Sequence, residues 1–289
     1  MTKPSVDTGN LSVVAQGVWV IGDRRVPLVP NIGVVCGRDA VLVVDTGMGP
    51  ENGAKVLAAA RKLAGVRKLL LTITHFHPEH GYGAQAFKGV ATIIYNRSQA
   101  DELVQKGAGY LDMFSGMNAE VATALEGTEL VAADQFYDGT SHTIDLGGRT
   151  VILQQWGKAH TKGDQTIFVE DARVLFTGDL AEEKTFPIFP WFPPHDTDID
   201  SDRWVAALQD CESLAPRVVV PGHGNVGGVE ILSEVRSYIT ELTAMVGAAR
   251  GNGVEAMIAE LKPKMLARHP DWHFPEWIDF AIRYLNDTH

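Results

Sequence analysis

The stretch "LLLTITHFHPEHGYGAQAF", Leu69 to Phe87, constrains the chain more than any other. Its aliphatic run reads as a buried strand, and three histidines and a glutamate follow within six residues, from His75 to His80. The whole chain of 289 residues has only 10 histidines, so this concentration needs a cause. His75 and His77 are two apart just past the strand, where an extended or turning backbone directs alternate side chains toward one point. Pro78 suits the first turn of a helix, which places Glu79 and His80 on that turn. Nitrogen and oxygen donors thus stand between a strand and a helix, the rigid setting that a metal site needs.

Further along, three more signals fall at strand-to-loop junctions: "GKAHTKGD" with His160, "LFTGDL" with Asp179 and "VVVPGHG" with His223. Loops that carry donors while a sheet fixes their positions are a common way to build a reactive centre. Imidazole and carboxylate together suit Zn²⁺.

The rest of the chain supplies the sheet. Short β-like pieces open it, "LSVVAQGVWVIG" and "NIGVVCGRDAVLVVDTG", with Gly37, Arg38 and Asp39 as a hairpin turn. From Glu51 to Leu63 the spacing turns helical, with Val56, Leu57, Ala60 and Leu63 on one side. Strand "ATIIY", helices between Ser98 and Leu125, and strands near "HTIDL", "TVILQQ", "QTIFVE" and "RVLFTG" follow. The loop "FPIFPWFPPHDTD" holds too much proline for a central strand. A helix at "SDRWVAALQDCESL", a strand at "RVVVPG", a helix from about Gly228 to Arg250 and two amphipathic tail helices complete the reading. These elements fit one sheet wrapped by helices, or two sheets face to face with helices outside.

Composition narrows the function. A net charge of −11, from 36 acidic and 25 basic residues, disfavours a nonspecific nucleic-acid binder, since phosphate affinity comes from clustered Lys and Arg. Cys36 and Cys211 stand in apolar surroundings and read as buried thiols, not as a disulfide framework. No segment approaches ~18 consecutive apolar residues. The expectation is a cytoplasmic protein without a membrane partner, or a periplasmic one where a signal peptide has been removed.

The ordered set "HFHPEH", "GKAHTKGD", "FTGD" and "PGHG" resembles the metallo-β-lactamase-fold hydrolase superfamily, over roughly residues 11–249. That resemblance implies an α+β fold, an αββα four-layer sandwich, with residues 250–289 as a helical extension packed on it. It implies a first metal on His75, His77 and His160, and a second on Glu79, His80 and His223, with Asp179 bridging the two. The implied cofactor is two Zn²⁺, with Fe or Mn as the alternative at one or both sites. The implied activity is hydrolysis by metal-bound hydroxide of a small molecule with a lactone, ester, thioester or β-lactam carbonyl. Asp179 resembles the bridging carboxylate of glyoxalase II, lactonase and phosphodiesterase relatives, where true β-lactamases typically have cysteine or serine. At Glu79 the family usually has aspartate. The extra methylene moves the carboxylate by about 1.5 Å, large against a ~0.5 Å tolerance. Glu79 therefore reads as a ligand on a shifted backbone, or as a general base. A mononuclear iron oxygenase like the persulfide dioxygenases and a binding protein that kept the fold are the other readings.

Around that centre, Asp45 and Asp164 read as acceptors for ligand imidazoles, or as turn caps. Tyr82, Tyr110, Phe114, Trp156, Phe189, Trp191 and Phe192 are candidates for the pocket wall, and Lys184 and His195 for a substrate carboxylate. His142, His269, His273 and His289 lack a partner motif and read as structural or exposed. The apolar faces around Trp277, Phe280 and Leu285 either close the pocket or form a homodimer contact.

Overall fold

A computed structural model describes residues 2–288. The first strands are β1 (Leu11–Ala15), β2 (Val18–Ile21), β3 (Ile32–Cys36) and β4 (Ala40–Val44), each antiparallel to the next. After α1 (Gly49–Ala64), β5 (Lys68–Thr72) pairs parallel with β4. The short helix α2 (Pro78–Gly81) leads to β6 (Thr92–Asn96), and α3 (Arg97–Ser115) and α4 (Ala119–Leu125) lead to β7 (Gln135–Tyr137), again in parallel. These strands form one sheet in chain order. Parallel crossover strands are covered on both faces, which is why β4 reads "AVLVV" with every residue buried and no alternation.

The second sheet comes from β8 (Ser141–Asp145), β9 (Thr150–Gly157), β10 (Asp164–Val169) and β11 (Val174–Gly178), antiparallel throughout. Helix α5 (Ser201–Ser213) then carries the chain to β12 (Val218–Pro221), which lies parallel to β11. Three helices follow: α6 (Glu230–Ala248), α7 (Val254–Arg268) and α8 (Trp277–Thr288).

Alternate residues of the two sheets meet in a shared core, with Val20, Val35 and Leu42 on one side and Leu153, Ile167 and Phe176 on the other. Gly33 on β3 is needed in that layer, because a Cβ there would collide with the Phe176 ring. Outside the first sheet, Val56 and Ala60 of α1 pack with Val43 and Leu71. Outside the second, Trp204 and Leu208 of α5 and Val235 and Ile239 of α6 cover Phe168, Leu175 and Val219. Burying each large apolar side chain contributes ~1.5–3 kcal/mol, so both helical layers are held by area, not by local propensity. The result is the αββα sandwich, with α7 and α8 packed into the same cluster as α5 and α6.

Two local details differ from the sequence reading. Strand β7 carries no strand signal, since it has three residues of which two are exposed, and its pairing with β6 alone makes it a strand. Cys211 is buried as expected, whereas Cys36 is only half-buried; both are free thiols. Among the described residues no helix is long and apolar enough to cross a membrane.

Candidate metal centre

Strand ends and the turns after them deliver the donors. Past β5, His75 and His77 turn to one side, while Phe76 between them is buried in the core against Tyr110, with ring centroids 4.8 Å apart. Pro78 opens α2 with no side-chain cap, and its first turn holds Glu79 and His80. His160 lies in the loop between β9 and β10, Asp179 directly after β11 and His223 shortly after β12.

Two groups of donors result. In one, His75, His77, His160 and Asp179 each offer an atom within 4.8 Å of the others. In the other, Glu79, His80, Asp179 and His223 do the same, and Asp179 belongs to both. Asp179 Oδ2 is 3.7 Å from His75 Nε2, and its Oδ1 is 3.2 Å from His80 Nε2 and 3.8 Å from His223 Nε2. All seven side chains implied by the family resemblance are therefore brought together, Glu79 included.

The chemistry of this set fits metal ions. Buried nitrogens and oxygens normally have hydrogen-bond partners, yet Nε2 of His75 and His77 and Oε2 of Glu79 are buried without one, and His80 Nε2 and Asp179 Oδ1 have only each other at 3.2 Å. They converge instead of scattering. Space is kept for Asp179 by Gly222, where a Cβ would collide with Oδ1, so the glycine of "PGHG" is required by close approach. Burial and the neighbouring imidazoles hold His75 well below the ordinary histidine range, and burial with His160 does so for His77. Both rings stay neutral, with a lone pair free to coordinate. At His80 burial is outweighed by Asp179 and Asp45, which push it well above that range. At Asp179 burial is outweighed by His80 and His223, which hold it well below the carboxylate range. Burial raises Glu79; a bound cation reverses that preference.

Asp45 accepts from His80 Nδ1 at 2.9 Å and is held by the Thr74 backbone N–H at 2.7 Å and the Thr74 hydroxyl at 3.0 Å. Its backbone has φ +67, a left-handed conformation that aspartate tolerates. With Nδ1 occupied in this way, Nε2 of His80 faces the centre. Asp45→Asn is expected to weaken metal binding about 10–100-fold, as loss of such outer partners does. Competition against a chromophoric chelator measures this, and unchanged affinity would remove Asp45 from the site.

Of its two readings, Asp164 takes the turn cap. It lies 3.8 Å from His160 Nδ1, too far for a hydrogen bond, and accepts instead from the Thr161 N–H at 2.8 Å and the Thr161 hydroxyl at 2.6 Å. It caps the turn. Its charge still counts, because the buried His160 sits above the ordinary range through Asp164 despite desolvation. The same loop is anchored from α3, where Glu102 accepts from the Gly163 N–H at 2.7 Å.

A cavity of about 420 Å³ opens onto His77, Glu79, Asp179 and His223. Of the wall candidates, Tyr110, Phe114 and Phe192 line it. The others stand elsewhere. Tyr82 is buried and donates to the Gly107 carbonyl, and Trp156 donates to Thr166 in the core. Phe189 packs against Trp204, and Trp191 against Tyr284. Lys184 is exposed and paired with Asp271, and His195 is exposed in the proline-rich loop. Aromatic residues near a site in sequence were absorbed by the core or by other contacts.

Other wall residues had no sequence signal of their own. Glu182, three residues after Asp179, is 2% exposed with neither carboxylate oxygen hydrogen-bonded. Burial and the like charge of Asp179 push its carboxyl well above the usual range. The unusual density of carboxylates in "GDLAEE" was its only cue. His273, read as structural or exposed, is in the wall, as are Trp277 and Phe280 of the tail, whereas Leu285 of the same helix is buried in the core. Asp23 accepts from the Gly224 N–H at 2.8 Å and steadies the loop of His223.

Known proteins agree with this architecture. The sequence profile of the metallo-β-lactamase superfamily matches residues 25–223. The acyl-coenzyme A thioesterase MBLAC2 of Bos taurus is 29% identical over 245 residues, covering 73% of this chain and 79% of its own. The linear primary-alkylsulfatase of a Pseudomonas strain is 27% identical over 237 residues, covering 72% of this chain and 44% of its own. Among solved structures, the DIM-1 metallo-β-lactamase superposes with a TM-score of 0.63 at 16% identity, covering 83% of this chain and 99% of that one. The sec-alkylsulfatase Pisa1 of Pseudomonas sp. gives 0.74 at 14% identity, covering 97% of this chain and 50% of that one. At such identities the structural likeness speaks for the fold alone. With a superfamily profile spanning most of the fold and its motifs converging in one buried cluster, the chain belongs to the metallo-β-lactamase superfamily and is a metal-dependent hydrolase.

Proposed function

We propose that the protein is a dinuclear zinc hydrolase that cleaves a small ester-like carbonyl compound, with a thioester as the leading candidate. The observation that carries this reading is the sharing of Asp179 between two groups of converging donors, beside a cavity large enough for a substrate. In this reading His75, His77 and His160 hold one ion, Glu79, His80 and His223 the other, and Asp179 both. Zinc in such a site polarises a carbonyl oxygen and lowers the pKa of water toward about 7. The chain itself orients and excludes. Asp45 holds the His80 ring, Glu102 holds the His160 loop, and Tyr110 stacks on His77 with centroids 5.1 Å apart, shielding it from solvent. No serine or cysteine nucleophile is needed. The thioester preference draws on the MBLAC2 relatives, which are named acyl-coenzyme A thioesterases. A sulfate ester is the second reading, favoured by the alkylsulfatase relative.

Metal quantification with a hydrolysis panel of thioesters, lactones, β-lactams and alkyl sulfates tests the proposal. About two zinc ions per chain with carbonyl cleavage is the expected result; a single iron, or cleavage of sulfate esters only, would replace it. Glu79→Asp separates the two roles of Glu79. As Glu79 shares the second group of donors, the expected result is altered zinc stoichiometry with about tenfold weaker binding of one ion. Unchanged metal content with a slower rate would instead make it a general base.

A further inference from the structure

The cavity changes character from base to rim. Its base is polar and closed, with Asp179 4% and Glu79 7% exposed. Its rim is largely apolar and open, with Met113 41%, Met117 49% and Phe280 40% exposed, beside the exposed His273 and Glu276. Large apolar side chains left in water at the mouth of a cavity mark a surface meant for an apolar ligand. Arg25 is the one Lys or Arg among the described wall residues, and its guanidinium is engaged by Glu183. A phosphate or sugar group finds no free cation inside. Methionine is unbranched and adaptable, and suits a flexible partner more than a rigid ring.

We infer that this cavity binds one straight acyl chain, whose hydrolysable carbonyl lies at the donor cluster and whose tail runs along Ile188 and Trp277 to the rim. The inference rests on the hydrolase reading for the carbonyl, and on the wall alone for the chain. Four separate parts of the sequence build that wall: the loop between β2 and β3 with Val26 and Leu28, the end of α3, the proline-rich loop and the start of α8. Chain length is thus selected by the elements outside the two sheets.

The test uses the full zinc-loaded chain and N-acetylcysteamine thioesters and p-nitrophenyl esters from acetyl to myristoyl. Each buried methylene is expected to raise kcat/KM about fourfold until the cavity is filled, after which the series levels or falls. Decanol, which has no metal-binding carboxylate, is expected to displace a fluorescent fatty acid from metal-free and zinc-loaded protein alike. Ile188→Trp moves the optimum to shorter chains, and Phe280→Ala lowers the gain per methylene. Should Ile188→Trp not fold, Met117→Trp at the exposed rim makes the same shift. A flat or falling series in an active enzyme overturns the inference and leaves the hydrolase reading intact. Displacement by decanol without hydrolysis of any ester upholds the chain site and overturns that reading. Neither displacement nor hydrolysis overturns both.

Discussion

Asp179→Ala releases most of the bound metal and lowers kcat/KM by at least about a thousandfold on any substrate the protein hydrolyses. Asp179 is the one side chain common to both donor groups, and it stands within 3.8 Å of three imidazoles. In the proposed dinuclear centre, its loss would remove a donor from each group together with its negative charge. Side-chain volume is a minor matter, so folding without metal changes little. Metal content after dialysis and steady-state rates measure the effect. A variant that keeps two zinc ions and a rate within about tenfold of the parent would sink the assignment of the centre.

Trp204→Ala gives the largest loss of stability, about 3–5 kcal/mol. The side chain is fully buried on α5, and its Nε1 donates to the carbonyl of Leu180, the residue after Asp179, at 2.8 Å. Its ring lies 5.4 Å from His160 and 5.2 Å from Phe189. Removing it opens a large cavity behind the metal centre and strands a buried carbonyl. The midpoint of thermal unfolding is expected to fall by roughly 10 °C. Trp204→Phe fills most of the space but not the hydrogen bond, and costs about 1–3 kcal/mol. Denaturant unfolding of metal-free protein separates these terms from metal binding, and a loss below about 1 kcal/mol for the alanine variant would contradict the packing argument.

Much of the centre was legible because its donors are concentrated at strand ends. "HFHPEH" places four of the seven in one strand-to-helix turn, and its spacing alone sends His75 and His77 inward with Phe76 to the core. Glu79 is where sequence reasoning left a choice, since one methylene decides whether a carboxylate reaches the cluster. The backbone of α2 brings it within the second group of donors. The pocket wall was less legible. Tyr110 and Phe114 were named for their place in the long insertion 98–128 and do line the cavity, while Trp156 and Phe189, named on the same kind of ground, are just as aromatic and went to the core.

What the sequence by itself determined is the local chemistry: which donors exist, that glycines and prolines turn the chain beside them, and that apolar runs make buried strands. Those follow from side-chain type and period, which act over a few residues. The tertiary structure alone decided that Asp164 caps a turn while Asp45 orients the His80 ring, and that Glu182 and Phe280 share one cavity across 98 residues of chain. Such roles depend on differences of about an ångström between segments far apart in the chain, and only the packing of two sheets and their helices sets those distances.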